Sequence, residues 1–151
     1  MSVQIQRVTA AETFSLRQRI LRPHDTFDEL SLLDDDPDTC HFVAVDDGTV
    51  IGAASVRREK APWNVELRQS WRLRGMATAE DRRSQGVGAA IVEAVIQHVQ
   101  QRGGGLLWCN ARIAAVSFYE HAGFGARGES WDDPILGPHI AMEMRVRAAS
   151  A

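Results

Sequence analysis

The sequence predicts a mixed α/β fold in a single domain, and three observations predict it. The chain has 151 residues, long enough to bury about 68–70% of its unfolded surface in one core. An Asp-Gly turn joins two apolar segments of strand character. A helix-period stripe is followed by three glycines and a short, wholly apolar run. The composition, 44% hydrophobic and 25% charged, is ordinary for a globular protein. No apolar run approaches the ~20 residues a spanning helix needs. Met1-Ser2-Val3-Gln4-Ile5-Gln6-Arg7 has no basic region leading into an apolar stretch. Cys40 and Cys109 form no disulfide framework and fit a reducing compartment. These features together predict a cytoplasmic protein with no membrane partner. A net charge of −3 and a pI of about 5.9 argue against nucleic acid as a partner.

In chain order, Val3 to Val8 alternates as a first strand. Thr9-Ala10-Ala11-Glu12 reads as a capping box, opening a helix whose stripe is Phe14, Leu16, Ile20 and Leu21 and which Pro23 stops. A polar segment to Thr39 follows, with a short helix around Phe27 to Leu33. His41 to Val45 and Val50 to Val56 flank Asp46-Asp47-Gly48-Thr49, a hairpin whose Asp-Gly supplies the left-handed position. A looser stretch from Arg58 to Asn64, containing Pro62, leads through Val65-Glu66-Leu67 to a strand at Trp71 to Ala79. Gly86 to Gln100 is a helix with Val87, Ile91, Val95 and Val99 on one face, ended by Gly103-Gly104-Gly105. Leu106 to Cys109 is a strand of the sheet interior. A helix from Ile113 to His121 closes on Gly123. Strands at Phe124 to Trp131 and His139 to Val146 finish the chain.

Charge is uneven. From Pro23 to Val56 there are nine acids and no Lys or Arg; from Arg57 to Arg83 there are eight basic residues against four acids. The first stretch would draw a cation, the second an anion, unless each is simply a solvated face.

The most informative segment is Met76 to Ala90, where a strand ends, Arg82 and Arg83 follow, and a helix opens with Gly86 and Gly88. The first amides of a helix lack internal partners, and the dipole puts partial positive charge there. Glycines at that point let a phosphate approach, although a G-x-G can also serve only turn geometry or helix–strand packing. A Walker loop is excluded because the chain has no Gly-Lys pair. A dinucleotide fold is excluded because Gly105-Leu106-Leu107-Trp108 offers no acid at the required strand end.

Arg83-Ser84-Gln85-Gly86-Val87-Gly88 resembles the Q/R-x-x-G-x-G/A signature of the GNAT superfamily of acyl-CoA-dependent N-acyltransferases. Leu107 to Phe124 is similar to its second signature, an Ala four residues before a Tyr and then Gly-Phe opening a strand. The order of elements from Val3 to Arg147 also resembles that of the superfamily. The resemblance implies residues 1–151 as a single acyltransferase-like domain. It implies a central, mostly antiparallel sheet with a parallel splayed strand pair and helices on both faces. Gly137-Pro138-His139 with Trp108-Cys109-Asn110 is similar to a subgroup of small bacterial members.

The implied chemistry follows the same resemblance. The diphosphate of coenzyme A rests on amides of Ser84, Gln85, Gly86, Val87, Gly88 and Ala89 with Arg83 at the edge. The pantetheine arm pairs with Met76, Ala77 and Thr78, and Phe118 belongs to the coenzyme site. An amine attacks the thioester directly, without an acyl-enzyme, and a strand amide polarises the carbonyl. Tyr119, the sole tyrosine, falls where members supply a proton to the departing thiolate, a role its phenol suits at neutral pH; without the motif it reads as a core aromatic beside Phe118. Asn110 either bridges to the coenzyme or caps the next helix. Cys109 reads as a nucleophile or as inert strand filling. Many members carry Asn where this chain has Arg112. Members acting on protein lysines often carry a Glu where this chain has Trp71-Arg72-Leu73-Arg74, so the base remains open among Glu66, His139 and ordered water. No metal-ligand spacing occurs, and acetyl-CoA is the implied acyl donor. The acidic stretch Asp25 to Asp38 maps to the acceptor side and points to a small cationic amine. The alternatives are a non-catalytic acyl-CoA-binding or regulatory module, and an interaction domain using the acidic face. Strand edges in this fold often pair between subunits, which admits a homodimer.

Overall fold

The structure, a computed structural model, describes residues 3–9 and 38–149. The expected first helix, its capping box beyond Thr9, the short helix around Phe27 and the acidic segment before Asp38 lie outside the described residues.

Seven strands are described: β1 (Val3–Val8), β2 (Cys40–Asp46), β3 (Thr49–Arg58), β4 (Ser70–Thr78), β5 (Gly105–Arg112), β6 (Gly125–Asp133) and β7 (Gly137–Val146). Two helices accompany them, α1 (Val87–Gln101) and α2 (Val116–His121), with 3₁₀ turns at Glu80–Arg82 and Ile113–Ala115. The strands run in the order β1-β2-β3-β4-β5-β7-β6. Antiparallel ladders join β1 to β2, β2 to β3, β5 to β7 and β6 to β7. The one parallel pair is β4 with β5, from Ser70↔Leu106 to Arg72↔Trp108. That ladder takes in three residues of a nine-residue strand and an eight-residue strand, the short pairing expected of a splayed pair. The expected mixed, mostly antiparallel sheet is therefore present.

Two compact units divide the chain: Met1–Arg57 with Gly75–Val95, and Arg58–Arg74 with Ile96–Ala151. In the first, the β2–β3 turn has Asp47 at φ 50° and Gly48 at φ 77°, two consecutive left-handed residues as a two-residue hairpin requires. Phe42, Val43, Ala44, Ile51, Ala53 and Val56 are buried. The α1 stripe joins them through Val87, Ile91 and Val95, which is why the four-residue spacing is there. Gly52 explains how closely helix and strand approach. A Cβ built on it would stand 2.7 Å from Ile91 Cδ1 and 3.0 Å from Val87 Cγ1, so a larger residue would force the Ile91 and Val87 side chains to shift.

In the second unit, Leu106, Leu107, Trp108 and Cys109 are all 2% exposed or less, as a strand covered on both faces must be. The buried indoles find acceptors: Trp71 Nε1 donates to Gly104 O at 3.3 Å and Trp108 Nε1 to Glu59 O at 2.8 Å. Gly104 N donates to Val99 O at 2.8 Å, closing α1 at the glycine run. Most boundaries move by one or two residues, and two move by three. β5 continues to Arg112 because Asn110, Ala111 and Arg112 remain paired with Ala141, Ile140 and His139. The helix expected from Ile113 begins instead as a 3₁₀ turn, and neither Arg112 nor Ala115 makes a side-chain cap bond. An uncapped first turn satisfies its amides by tightening to i→i+3 bonds.

Candidate functional site

After β4 the chain is fixed by Ala79 N, which donates to Ile51 O at 2.8 Å, and by Arg82 N, which donates to Ala79 O at 2.9 Å. Arg83, Ser84, Gln85 and Gly86 are exposed, whereas Val87 is buried and anchors the helix. Ser84 (φ 65°) and Gly86 (φ 83°) are both left-handed, and turns of this kind gather main-chain N–H groups into concavities that suit anions. The bond from Ala90 N to Gly86 O at 3.1 Å is of the first intrahelical type, so the amides of Val87, Gly88 and Ala89 precede the helix's own bonding. No acid stands in the first turn of α1. A Cβ on Gly86 would meet nothing within 4 Å, so the space beside the turn is open. Open space, a helix start whose first turn holds no acid, and an exposed arginine fit a diphosphate. Met76 and Thr78 at the end of β4 are half-buried and Ala77 is buried.

The two neighbouring arginines differ. Arg82 Nη1 donates to Asp46 Oδ2 at 2.7 Å, which ties the turn to the β2–β3 hairpin, while Arg83 is exposed. Of the two, the expected diphosphate neighbour is the exposed one; the Asp46 partner of Arg82 is not legible in the sequence, because the pair is 36 residues apart and no local pattern marks it.

In the second unit, α2 carries Tyr119, 6% exposed. Its ring meets Phe118 edge-on at 5.1 Å and Phe124 at 5.4 Å. The helix closes as Phe124 N donates to Tyr119 O at 3.0 Å. Burial, and after it the neighbouring Cys109, hold the phenol well above its ordinary range, so it keeps its proton throughout the neutral and mildly alkaline range. The Cys109 thiol is pushed up to about 12 by burial, offset in part by the Arg72 guanidinium. A thiol that stays protonated is a poor nucleophile, which favours the inert reading. Phe118 is half-buried and Asn110 exposed. The capping role considered for Asn110 is overturned: the N-cap positions fall at Arg112 and Ala115, while Asn110 sits within β5 opposite Ala141.

Neither β4 residue with a charge in Trp71-Arg72-Leu73-Arg74 is an acid, and Arg72 Nη1 pairs with Glu59 Oε2 at 3.0 Å. Glu66 is exposed. His139 is 8% exposed, donates from Nδ1 to Gly137 O at 2.8 Å and stacks on Trp131 with centroids 5.8 Å apart. Among the described residues, no three His, Cys, Asp or Glu side chains gather as a metal site would, and no helix is long and apolar enough to cross a membrane.

Against these features, the family described as Acetyltransferase (GNAT) matches residues 8–124. The uncharacterized N-acetyltransferase YitI of Bacillus subtilis is 31% identical over 148 residues, which span 97% of this chain and 99% of YitI. Among solved structures, the ribosomal-protein-S18-alanine N-acetyltransferase of Escherichia coli is similar with a TM-score of 0.75 at 19% identity, over 99% of this chain and 97% of that one. An aminoglycoside 6′-N-acetyltransferase complexed with coenzyme A has a TM-score of 0.76 at 14% identity, over 98% and 99% of the two chains. These two structural likenesses speak to the fold.

Proposed function

The chain belongs to the GNAT family of acetyltransferases, enzymes that take their acyl group from acetyl-CoA, and we propose that this member acetylates a small cationic amine by direct attack. The observation that carries the reading is the opening of α1, where left-handed Ser84 and Gly86, the acid-free first turn and exposed Arg83 form a cradle suited to the coenzyme diphosphate. In this reading the amides from Ser84 to Ala89 hold the diphosphate, and Met76, Ala77 and Thr78 align the pantetheine arm by strand-type pairing. Phe118 and Asn110 complete the coenzyme's surroundings. Tyr119 gives its proton to the departing sulfur. The donor supplies an activated carbonyl, and the protein supplies position, a main-chain dipole and that proton.

The acidic run Asp25 to Asp38 supports a cationic acceptor, since carboxylates raise the local concentration of an ammonium. The match to YitI along nearly its full length supports treating residues 1–151 as one acyltransferase domain. Cys40 and Cys109 are buried thiols in no disulfide, which suits a cytoplasmic location. The test is release of free thiol from acetyl-CoA over a panel of cationic, neutral and acidic amines, with coenzyme A affinity measured by calorimetry. Turnover confined to cationic amines is expected. Strong turnover on neutral or acidic amines, with none on cationic ones, would remove the acceptor assignment.

A further inference from the structure

Two elements carry the proposed coenzyme contacts, the end of β4 with Met76, Ala77 and Thr78 and the opening of α1 at Val87. Both rest on the same two residues of β3. Ile51 O accepts from Ala79 N at 2.8 Å, one residue beyond Thr78. Gly52 follows, buried, and the point where its Cβ would stand lies 2.7 Å from Ile91 Cδ1, 3.0 Å from Val87 Cγ1 and 3.4 Å from Ala77 O. One position on β3 therefore meets the first turn of α1, the turn after it and the end of β4. All of these residues lie in the first compact unit. Gly52 is not among the glycines of positive φ, so its backbone is open to other residues. What the position requires is the absence of a side chain, as where a strand glycine marks a close approach.

We propose that the Ile51-Gly52 step of β3 positions the coenzyme site, seating the start of α1 and the end of β4 in one register. The inference rests on the coenzyme site proposed above and names what holds its two parts together. A diphosphate and a pantetheine arm belong to one ligand, so the spacing between the helix amides and the strand end must match the ligand's own. Gly52 is a positioning residue, acting through Val87 and Ala77. The three neighbours of an added methyl yield unequally. Ile91 Cδ1 ends a side chain that can turn, but Ile91 is 0% exposed and turns only into occupied space. Val87 is buried and β-branched, and a helix holds such a side chain strongly to one χ1 rotamer. Its Cγ1 retreats with the main chain, and Val87 N, the first amide of α1, moves with it. Ala77 O is itself main chain.

The test uses the full chain, with coenzyme A affinity measured by calorimetry and folding followed by circular dichroism. Gly52→Ala is expected to raise the coenzyme A dissociation constant about tenfold, with kcat at saturating acetyl-CoA within about twofold of wild type. Val43→Ala is the control for lost stability. Val43 is 1% exposed and pairs with Ala53, so it faces the other side of the sheet from Gly52. It should lower Tm at least as far while leaving affinity within about twofold. Ile91→Val removes the atom nearest the added methyl. Alone it should leave affinity within about twofold, and combined with Gly52→Ala it should return the dissociation constant to within about threefold of wild type. Gly52→Ala with affinity within about twofold of wild type, while Gly86→Val still weakens binding, overturns this inference alone. A loss that Ile91→Val does not reduce, or that Val43→Ala reproduces, overturns it equally. Wild type that binds no coenzyme A, or binds it undisturbed by Gly86→Val, overturns the coenzyme site and this inference together. Should Gly52→Ala fail to fold, Ala79→Pro decides. Ala79 already has φ −54°, so proline fits its backbone and deletes the donation to Ile51 O. A dissociation constant raised about fivefold upholds the role of β3, and one within about twofold of wild type overturns it.

Discussion

The turn from Thr78 to Ala89 and the segment from Asn110 to Phe124 are built by opposite means. The turn is exposed from Arg83 to Gly86 and owes its form to main-chain conformation at Ser84 and Gly86. The second segment owes its form to side chains, with Tyr119 buried between Phe118 and Phe124. A site made of main-chain amides tolerates changes of side chain but not changes of backbone. A site made of one buried hydroxyl tolerates changes around it but not loss of that oxygen. Ground-state binding should therefore depend on the first region and the chemical step on the second.

The largest effect should come from Tyr119→Phe, which removes one oxygen and leaves the ring packing in place. Turnover should fall about 100-fold, while coenzyme A affinity measured by calorimetry stays within about twofold. Unchanged turnover would take Tyr119 out of the chemistry and leave it a core aromatic. Gly86→Val should do the reverse. Its Cβ has open space, so the cost is the left-handed backbone at φ 83°, about 1–2 kcal/mol for a residue with a side chain. The coenzyme A dissociation constant should rise about tenfold, with kcat at saturating acetyl-CoA little changed. Gln85→Ala, exposed in the same turn, should change neither.

Alkaline stability offers a third contrast, because Tyr119 of the second segment and Cys109, the residue just before that segment, are buried acids. The Cys109 thiol is raised from 9.0 to about 12 by burial, and Tyr119 is raised above 10.0. Both groups are neutral when protonated, and the folded state keeps those protons where the unfolded chain has lost them. Their stabilisation is therefore full below pH 9 and lost as pH rises toward 12, at a slope of at most about 1.4 kcal/mol per pH unit for each group. Urea midpoints should hold steady to pH 9 and fall above it. Cys109→Ala should flatten the fall between pH 9 and pH 10, where Tyr119 contributes little. A midpoint that falls equally in both proteins over that interval would show that Cys109 is not the source.

Much of this was legible in the sequence, for identifiable reasons. β1 has its expected bounds, Val3–Val8, because alternation alone defines a half-covered strand. The Asp47-Gly48 turn and the α1 stripe were legible because each depends on residues close together in the chain. Gly52 was not legible, since its need for a hydrogen side chain comes from Val87, Ile91 and Ala77. Nor was the stack of Trp131 on His139, which depends on the β6–β7 register across a bulge between Arg127 and Trp131. The 3₁₀ start before α2 escaped notice because helical periodicity does not distinguish a tight first turn from an α-helical one.

The smallest effect tests whether the turn is held by its main chain alone. Asp46 and Arg82 meet at 2.7 Å with side chains 16% and 26% exposed, so they are partly screened, and pairs of this kind contribute about 0.2–1 kcal/mol. Asp46→Asn should lower Tm by only about 2–4 °C and raise the coenzyme A dissociation constant less than about threefold. Ala79 N and Ile51 O still fix the end of β4, and Val87 remains buried at the start of the helix. If affinity instead fell as far as in Gly86→Val, the hairpin carboxylate would be holding the anion cradle through Arg82. The turn would then belong, like Tyr119, to the part of the molecule where single side chains decide function.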